Sequence, residues 1–315
     1  MTDGLIFYVS KNHSRLNGRP FVPEAIADHL CLNPLYNTTV ERPVNILTDS
    51  GAFQDVDTNK RLTFEDALER QLSYERKVGY TSEYLVSYDR LVDEQLIEGE
   101  KVKQRWGYSA AEEAVRETVE AAQYMATNRD LLRPRKLILS CQGVTIEQYV
   151  RCAKRVIRLM ERDDCFGFGG FCIIGQRRFS ITPDGCTFPE QFVRIFEEVA
   201  PLLRKAKIKR AHIFGVSYLP VLKQIAPMAQ EHGIQLSIDT SSIERNSVIE
   251  GKVWTDDGFR IKLGRQWKYT GPDPIPAGHW HPNVLAHENI SRALKTFSGL
   301  QGETRWEIRE QLALF

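Results

Sequence analysis

Short apolar runs alternate with longer amphipathic stretches along most of this chain, and that alternation limits the fold more than any other feature. The runs are Asn45–Thr48, then 83–88, 136–140, 169–174, 210–216 and 235–238. Between them, apolar residues recur at helical spacing near 63–79, 107–127, 145–162, 188–206 and 218–232. Strand-then-helix units in succession, with no low-complexity linker, predict a parallel sheet. A closed (β/α)8 TIM barrel spanning 1–315 as a single domain fits best, with 5–10 and a strand around 259–263 as the remaining staves. An open doubly wound sheet is the alternative. The segment 251–287, rich in Gly, Pro, Trp and His, breaks the pattern and reads as an irregular insertion over one face.

A polar residue or a glycine stands at one strand end after another. Asp49 follows the first run and opens Asp49-Ser50-Gly51-Ala52-Phe53-Gln54; Asp89 follows the second, and Gln142-Gly143 the third. Gly169-Gly170 opens the fourth run, and Asp239 ends the sixth. In a (β/α)8 barrel the strand ends converge on one rim, where active sites lie. One aspartate after a strand is an ordinary helix cap; a set of such signals at corresponding ends favours a site. Two carboxylates presented in this way, Asp49 and Asp239, suit acid–base and nucleophilic chemistry at a carbon bearing a leaving group.

A net charge of +1 gives no general affinity for nucleic acid, so any such contact has to come from local patches. Arg177 and Arg178 follow a predicted strand end, on the active rim. Arg265-Gln-Trp-Lys268-Tyr269 interleaves cations with aromatics, the chemistry for pairing phosphates and stacking bases. The basic cluster at 204–210 precedes a strand and belongs to the opposite face. No apolar run approaches the ~18–20 residues of a membrane span, and no secretory leader pattern is visible at the N-terminus. The six cysteines form no CxxC pair. A cytoplasmic protein with reduced thiols and no membrane partner is expected.

At these residues the chain resembles the guanine transglycosylases of the queuosine and archaeosine family. The segment 49–54 resembles the family's DSGGFQ, Asp89 its base-reading aspartate, and Cys141-Gln142-Gly143 its QGG element. The segment 169–175 is similar to GGLAVGE, 212–216 resembles HLMGVG, and 238–240 the family's nucleophile segment. The matches run in family order over roughly two-thirds of the chain.

The resemblance implies exchange of a guanine in a nucleic acid for another base through a covalent aspartyl–nucleotide intermediate. Asp239 would be the nucleophile and Asp49 the general acid/base. Asp89 would accept the N1–H and exocyclic amine of a guanine edge. Gln142, with Gly143, and the backbone at Gly169 and Gly170 would meet O6 and the 7-substituent. Phe53 and Phe214 would sandwich the base, although an aromatic in a barrel is as readily core.

The family carries a structural zinc on CxCxxC and a later histidine, and this chain has no cysteine after Cys186. His279, His281 and His287 stand at the corresponding places. A three-histidine zinc site and three ordinary loop histidines are both open there; no organic cofactor is expected. Ala52 and Ser217 replace family glycines, and no appended RNA-binding module is expected. These departures resemble the DNA-directed, DpdA-like branch, which inserts 7-deazaguanines into DNA and is often encoded by phages or by DNA-modification clusters. The expected partners are therefore DNA, with tRNA as the alternative, and a base such as 7-cyano-7-deazaguanine. A homodimer or a helper protein is also expected to be compatible with this chemistry. The rival readings are a non-catalytic nucleic-acid-binding partner subunit and a barrel glycosidase or nucleosidase that transfers to water.

Overall fold

Eight parallel strands close into a barrel in which every strand pairs with its neighbours in chain order. They are β1 (Ile6–Ser10), β2 (His29–Leu32), β3 (Asn45–Thr48), β4 (Tyr84–Val86), β5 (Lys136–Cys141), β6 (Cys165–Phe168), β7 (Arg210–Ile213) and β8 (Gln235–Thr240). Ring closure comes from β1, which pairs with both β8 and β2. The computed structural model describes residues 4–16, 19–55, 61–92, 95–97, 100–102, 107–172, 174–248, 251–255, 260–262 and 282–300.

The outer helices are α1 (Phe64–Val78), α2 (Tyr108–Thr127), α3 (Ile146–Ile157), α4 (Phe188–Lys205), α5 (Leu219–Glu231), α6 (Ser242–Val248) and α7 (Pro282–Gly299). Local chemistry fixes several of their ends. Thr63 and Thr145 accept backbone N–H groups at the starts of α1 and α3. A reciprocal Thr187–Glu190 capping box starts α4. Gly79 takes the left-handed conformation that stops α1. Among the described residues no helix is long and apolar enough to cross a membrane.

Strand periodicity divides the core in two. Residues of one parity, including Phe7, Leu30, Ile46, Leu85, Leu137, Phe166, Phe168, Leu236 and Ile238, are buried in a large cluster shared with the helices. Phe168 packs against Phe166, Phe192 and Phe196; each such ring fully buried stabilises the fold by roughly 1.5–3 kcal/mol. Residues of the other parity fill the lumen: Tyr8, Cys31, Leu47, Tyr84, Val86, Ile138 and Cys165 form one cluster. Register pairs Tyr8 with Asp239 and Cys31 with Leu47. Two residues beyond Leu47 stands Asp49, so the same parity turns both aspartates towards the barrel axis.

Three expectations need correction. The strand expected at 169–174 is instead β6, Cys165–Phe168. Its Phe166 and Phe168 give the outward alternation, and Gly170, at φ +81°, ends the extended course. The missing stave is His29–Leu32, while Arg260–Lys262 pairs antiparallel with Lys252–Trp254 in a separate ribbon. The irregular segment ends earlier than 287, because α7 begins at Pro282 and takes His287 into a helix.

Candidate active site

A cavity of about 240 Å³ opens at the C-terminal mouth of the barrel, lined in part by Asp49, Asp89, Asp239, Phe53 and Phe214. These side chains come from the ends of β3, β4, β7 and β8, or from the loops that follow. Gly169 and Gly170, after β6, complete that side of the wall.

Asp49 is held by its own turn and by the neighbouring strand end. The backbone N–H of Ser50 donates to Oδ1 at 2.8 Å, and Asn33 Nδ2 donates to Oδ2 at 2.8 Å. Asn33 also donates to Gln54 Oε1 at 2.8 Å, tying the two ends of the Asp49–Gln54 segment together. From α1, Gln71 Nε2 reaches the carbonyls of Thr48, Asp49 and Val86, at 3.1, 3.1 and 3.0 Å. Arg70 grips Asp55 with two guanidinium contacts and also donates to the Ser50 carbonyl. The turn is therefore anchored from behind, leaving its carboxylate in the cavity wall.

Burial pushes the Asp49 carboxyl up to about 6, and the negative charge of Asp239 pushes the same way. The N–H groups of Ser50 and Gly51 and the amide of Asn33 only partly oppose them. A carboxyl with that affinity for protons can both give and take one near neutral pH.

Asp239 has a different environment. Its Oδ1 accepts the backbone N–H of Gly215 at 3.0 Å and pairs with His212 Nε2 at 3.1 Å. Among the described residues Oδ2 takes no hydrogen bond, and the side chain is 18% exposed. Gly215 has φ +67°, and a Cβ there would stand 2.7 Å from Cys172 Cβ. Only glycine brings that N–H to the carboxylate without displacing Cys172.

Gln142 and Gly143, expected at the base, stand behind the residues that line the cavity. Gln142 is fully buried and both ends of its amide are taken: Nε2 donates to Asp89 Oδ2, and Oε1 accepts the N–H of Val92 at 3.1 Å. A buried amide must satisfy donor and acceptor alike, and Gln142 does so in part by fixing Asp89. Gly143 packs against α3, where a Cβ would stand 2.7 Å from Tyr149 N. Gly169 has the same kind of close neighbour, since a Cβ would meet Gln142 Cγ at 3.0 Å.

The loop after β6 brings Gln176 to the cavity, with Arg177 half-buried and Arg178 exposed beside it. The Arg178 guanidinium lies 4.8 Å from the centroid of Phe179, a ring that is 80% exposed. On α6, Arg245 lines the cavity from an exposed position, and among the described residues its guanidinium makes no hydrogen bond or ion pair. Neither Phe179 nor Arg245 stands out in the sequence. Arg245 could have been found from its place just beyond the Asp239 strand end.

Arg265, Lys268, His279 and His281 lie outside the described residues. His287 sits on α7 with its ring against Phe21, centroids 5.3 Å apart, and its Nε2 has no hydrogen-bond partner among the described residues. Among those residues no group of three His, Cys, Asp or Glu is placed to hold a metal ion. One unpartnered imidazole does not define a zinc site.

No family model matches the chain, and no curated protein matches it. Among solved structures it is similar to a fructose-bisphosphate aldolase from Campylobacter jejuni, 11% identical over 98% of this chain and 90% of that one, with a TM-score of 0.39. It is also similar to a pyruvate carboxylase from Rhizobium etli, 10% identical over 76% of this chain and 21% of that one, with a TM-score of 0.30. PhdJ bound to a substrate intermediate is 9% identical, covering 96% of this chain and 97% of that one, with a TM-score of 0.28. At such values these likenesses carry no weight, and the barrel stands on its own strand register.

Proposed function

We propose that this protein is a guanine transglycosylase, exchanging guanine in a nucleic acid for a 7-deazaguanine base by two displacements at one sugar carbon. In the first, Asp239 bonds to C1′ as the bond to guanine breaks; the electron pair leaves with the base, which Asp49 protonates. In the second, the incoming base loses a proton to Asp49 and bonds to C1′, and Asp239 departs as a carboxylate. Splitting the exchange in this way parallels retaining glycoside hydrolysis.

The observation that carries the proposal is the pairing of two unlike carboxyls around one cavity. Asp49 is raised to about 6 by burial, as a proton carrier needs, while Asp239 has one oxygen held by the Gly215 N–H and the His212 ring. Asp89, fixed by Gln142, supplies an acceptor suited to the donor pair of a guanine edge. Phe53 and Phe214 supply flat apolar surface at the same cavity.

DNA is the preferred polymer and tRNA the alternative, a choice that rests on Ala52 and Ser217 in place of family glycines and on the lack of a cysteine after Cys186. Arg245 lines the cavity, and Arg178 with the exposed Phe179 follows Gln176 in the loop after β6, supplying cation and stacking chemistry. A duplex substrate must present its guanine flipped out of the stack. The test offers the purified protein 7-cyano-7-deazaguanine with duplex DNA, single-stranded DNA and unmodified tRNA in parallel, followed by nucleoside mass spectrometry. Incorporation into DNA supports the full proposal; incorporation into tRNA alone moves the polymer and keeps the chemistry. No incorporation into any polymer rejects it in favour of the partner-subunit reading.

A further inference from the structure

His212 takes no part in the displacement steps above, yet it is the one fully buried histidine among the described residues, and both of its ring nitrogens have partners. It stands on β7 in register with Ser237 of β8. Nε2 is 3.1 Å from Asp239 Oδ1, and Nδ1 is 2.9 Å from Ser237 Oγ. The donor inventory determines which nitrogen carries the proton. An ionised carboxylate only accepts, so Nε2 must donate to it. With one proton on the ring, Nδ1 is then an acceptor, and the hydroxyl of Ser237 is placed to donate to it. The carbonyl of Ala211 is farther from that hydroxyl, at 3.4 Å, and the Cys165 sulfur beside it is a weaker acceptor than an imidazole nitrogen.

We infer that Ser237 and His212 form a relay that fixes the carboxylate of Asp239 for its displacement steps, with His212 as the positioning residue and Ser237 setting its tautomer. This deepens the transglycosylase reading and rests on it. Two N–H donors, from His212 and Gly215, converge on Oδ1 and set the plane of the carboxylate, leaving Oδ2 to bond to C1′. Oδ1 carries more negative charge in the free carboxylate than in the glycosyl ester, so both donors favour departure of Asp239 over its attack. When Oδ2 attacks, its C1′ bond forms as the bond to guanine breaks and guanine takes a proton from Asp49. When the incoming base attacks, the C1′–Oδ2 electron pair returns to Asp239, and the base's proton goes to Asp49.

Loss of the His212 donor therefore slows the second step more than the first, and the covalent intermediate accumulates. General damage to the fold would lower both steps alike. The test measures single-turnover rates of adduct formation and adduct release, on whichever polymer the wild type modifies. His212→Leu should slow release on the order of 10²-fold and raise the adduct fraction at steady state. His212→Gln, whose amide can place an N–H near the position of Nε2, should recover most of the loss. Ser237→Ala should slow release in the wild-type background and do nothing further in the His212→Gln background, because an amide has no tautomer to set.

Equal loss in both steps without recovery by glutamine, or additive losses from Ser237→Ala and His212→Gln, overturns the relay. If His212→Leu does not fold, the Ser237→Ala and His212→Gln cycle decides the matter alone. A wild type that forms no adduct with any polymer overturns the transglycosylase reading and the relay with it. Normal exchange by the wild type with unaffected variants overturns only the relay.

Discussion

The ring of Phe214 lies over Gly167, where a Cβ would stand 2.7 Å from Cε2 of that ring and 3.1 Å from Ile138 Cγ2. Gly167 faces the lumen between β5 and β7, so the missing side chain is what lets an aromatic from the strand end bend down into the cavity wall. Gly167→Ala should displace the ring and cost about 1–3 kcal/mol of stability. The prediction is a raised KM for the incoming base with a smaller change in kcat, checked by steady-state exchange kinetics beside a thermal melt.

The Asp49 carboxyl, pushed up to about 6 from an ordinary 3.8, makes opposite demands on the two steps. Adduct formation needs its proton and should slow as pH rises through about 6, while adduct release needs the ionised form and should speed up over the same range. Asp49→Asn should remove both limbs along with most of the activity.

Asp49 also has a stability signature. A carboxyl whose folded value is raised contributes stability that is present below 3.8 and is lost as pH rises through about 6. Asp49→Asn should therefore gain on the order of 3 kcal/mol over wild type at pH 8 and nothing at pH 3.5. Denaturant melts at the two pH values check this, and an equal effect at both would refute it.

Glu244 on α6 gives an independent check of the packing behind the site. It is buried, its Oε2 has no hydrogen-bond partner among the described residues, and burial pushes its carboxyl up to about 8 from 4.5. Stability present below about 4.5 is lost as pH rises through about 8, so Glu244→Gln should stabilise the protein on the order of a few kcal/mol above that pH. Melting temperatures of variant and wild type should converge towards pH 4.5.

At the mouth, Arg245→Ala should weaken polymer binding and reduce the steepness of its salt dependence by about one phosphate contact. Phe179→Ala should weaken binding with the salt slope unchanged, as lost stacking does. Fluorescence anisotropy with a labelled oligonucleotide at several salt concentrations separates the two.

The long amphipathic helices were legible because α1, α2, α4 and α5 carry their period over many residues, and α1 and α4 also start at recognisable threonine caps. The staves were harder. His29–Leu32 is too short to display a period, and the apolar stretch after Gly170 looks like a strand until the left-handed glycine turns the chain away. Asp49, Asp89 and Asp239 were legible because a strand end announces itself by an abrupt change from apolar to acidic. The support behind them was not. Gln71 reaches three carbonyls from a neighbouring helix, Asn33 comes from the unrecognised stave, and Gln142 turns from the cavity to Asp89. Those roles depend on which residues the closed barrel sets side by side, which no local pattern encodes.

The central claim is a covalent bond between Asp239 and the sugar, and the most direct measurement is peptide-mapping mass spectrometry of the quenched protein–oligonucleotide mixture. A nucleotide adduct on the peptide containing Asp239 is expected, released when 7-cyano-7-deazaguanine is added. It should be absent in Asp239→Asn, whose circular dichroism and melting temperature should match the wild type. Base exchange that proceeds with no adduct at Asp239, or that persists undiminished in a folded Asp239→Asn protein, would contradict the account.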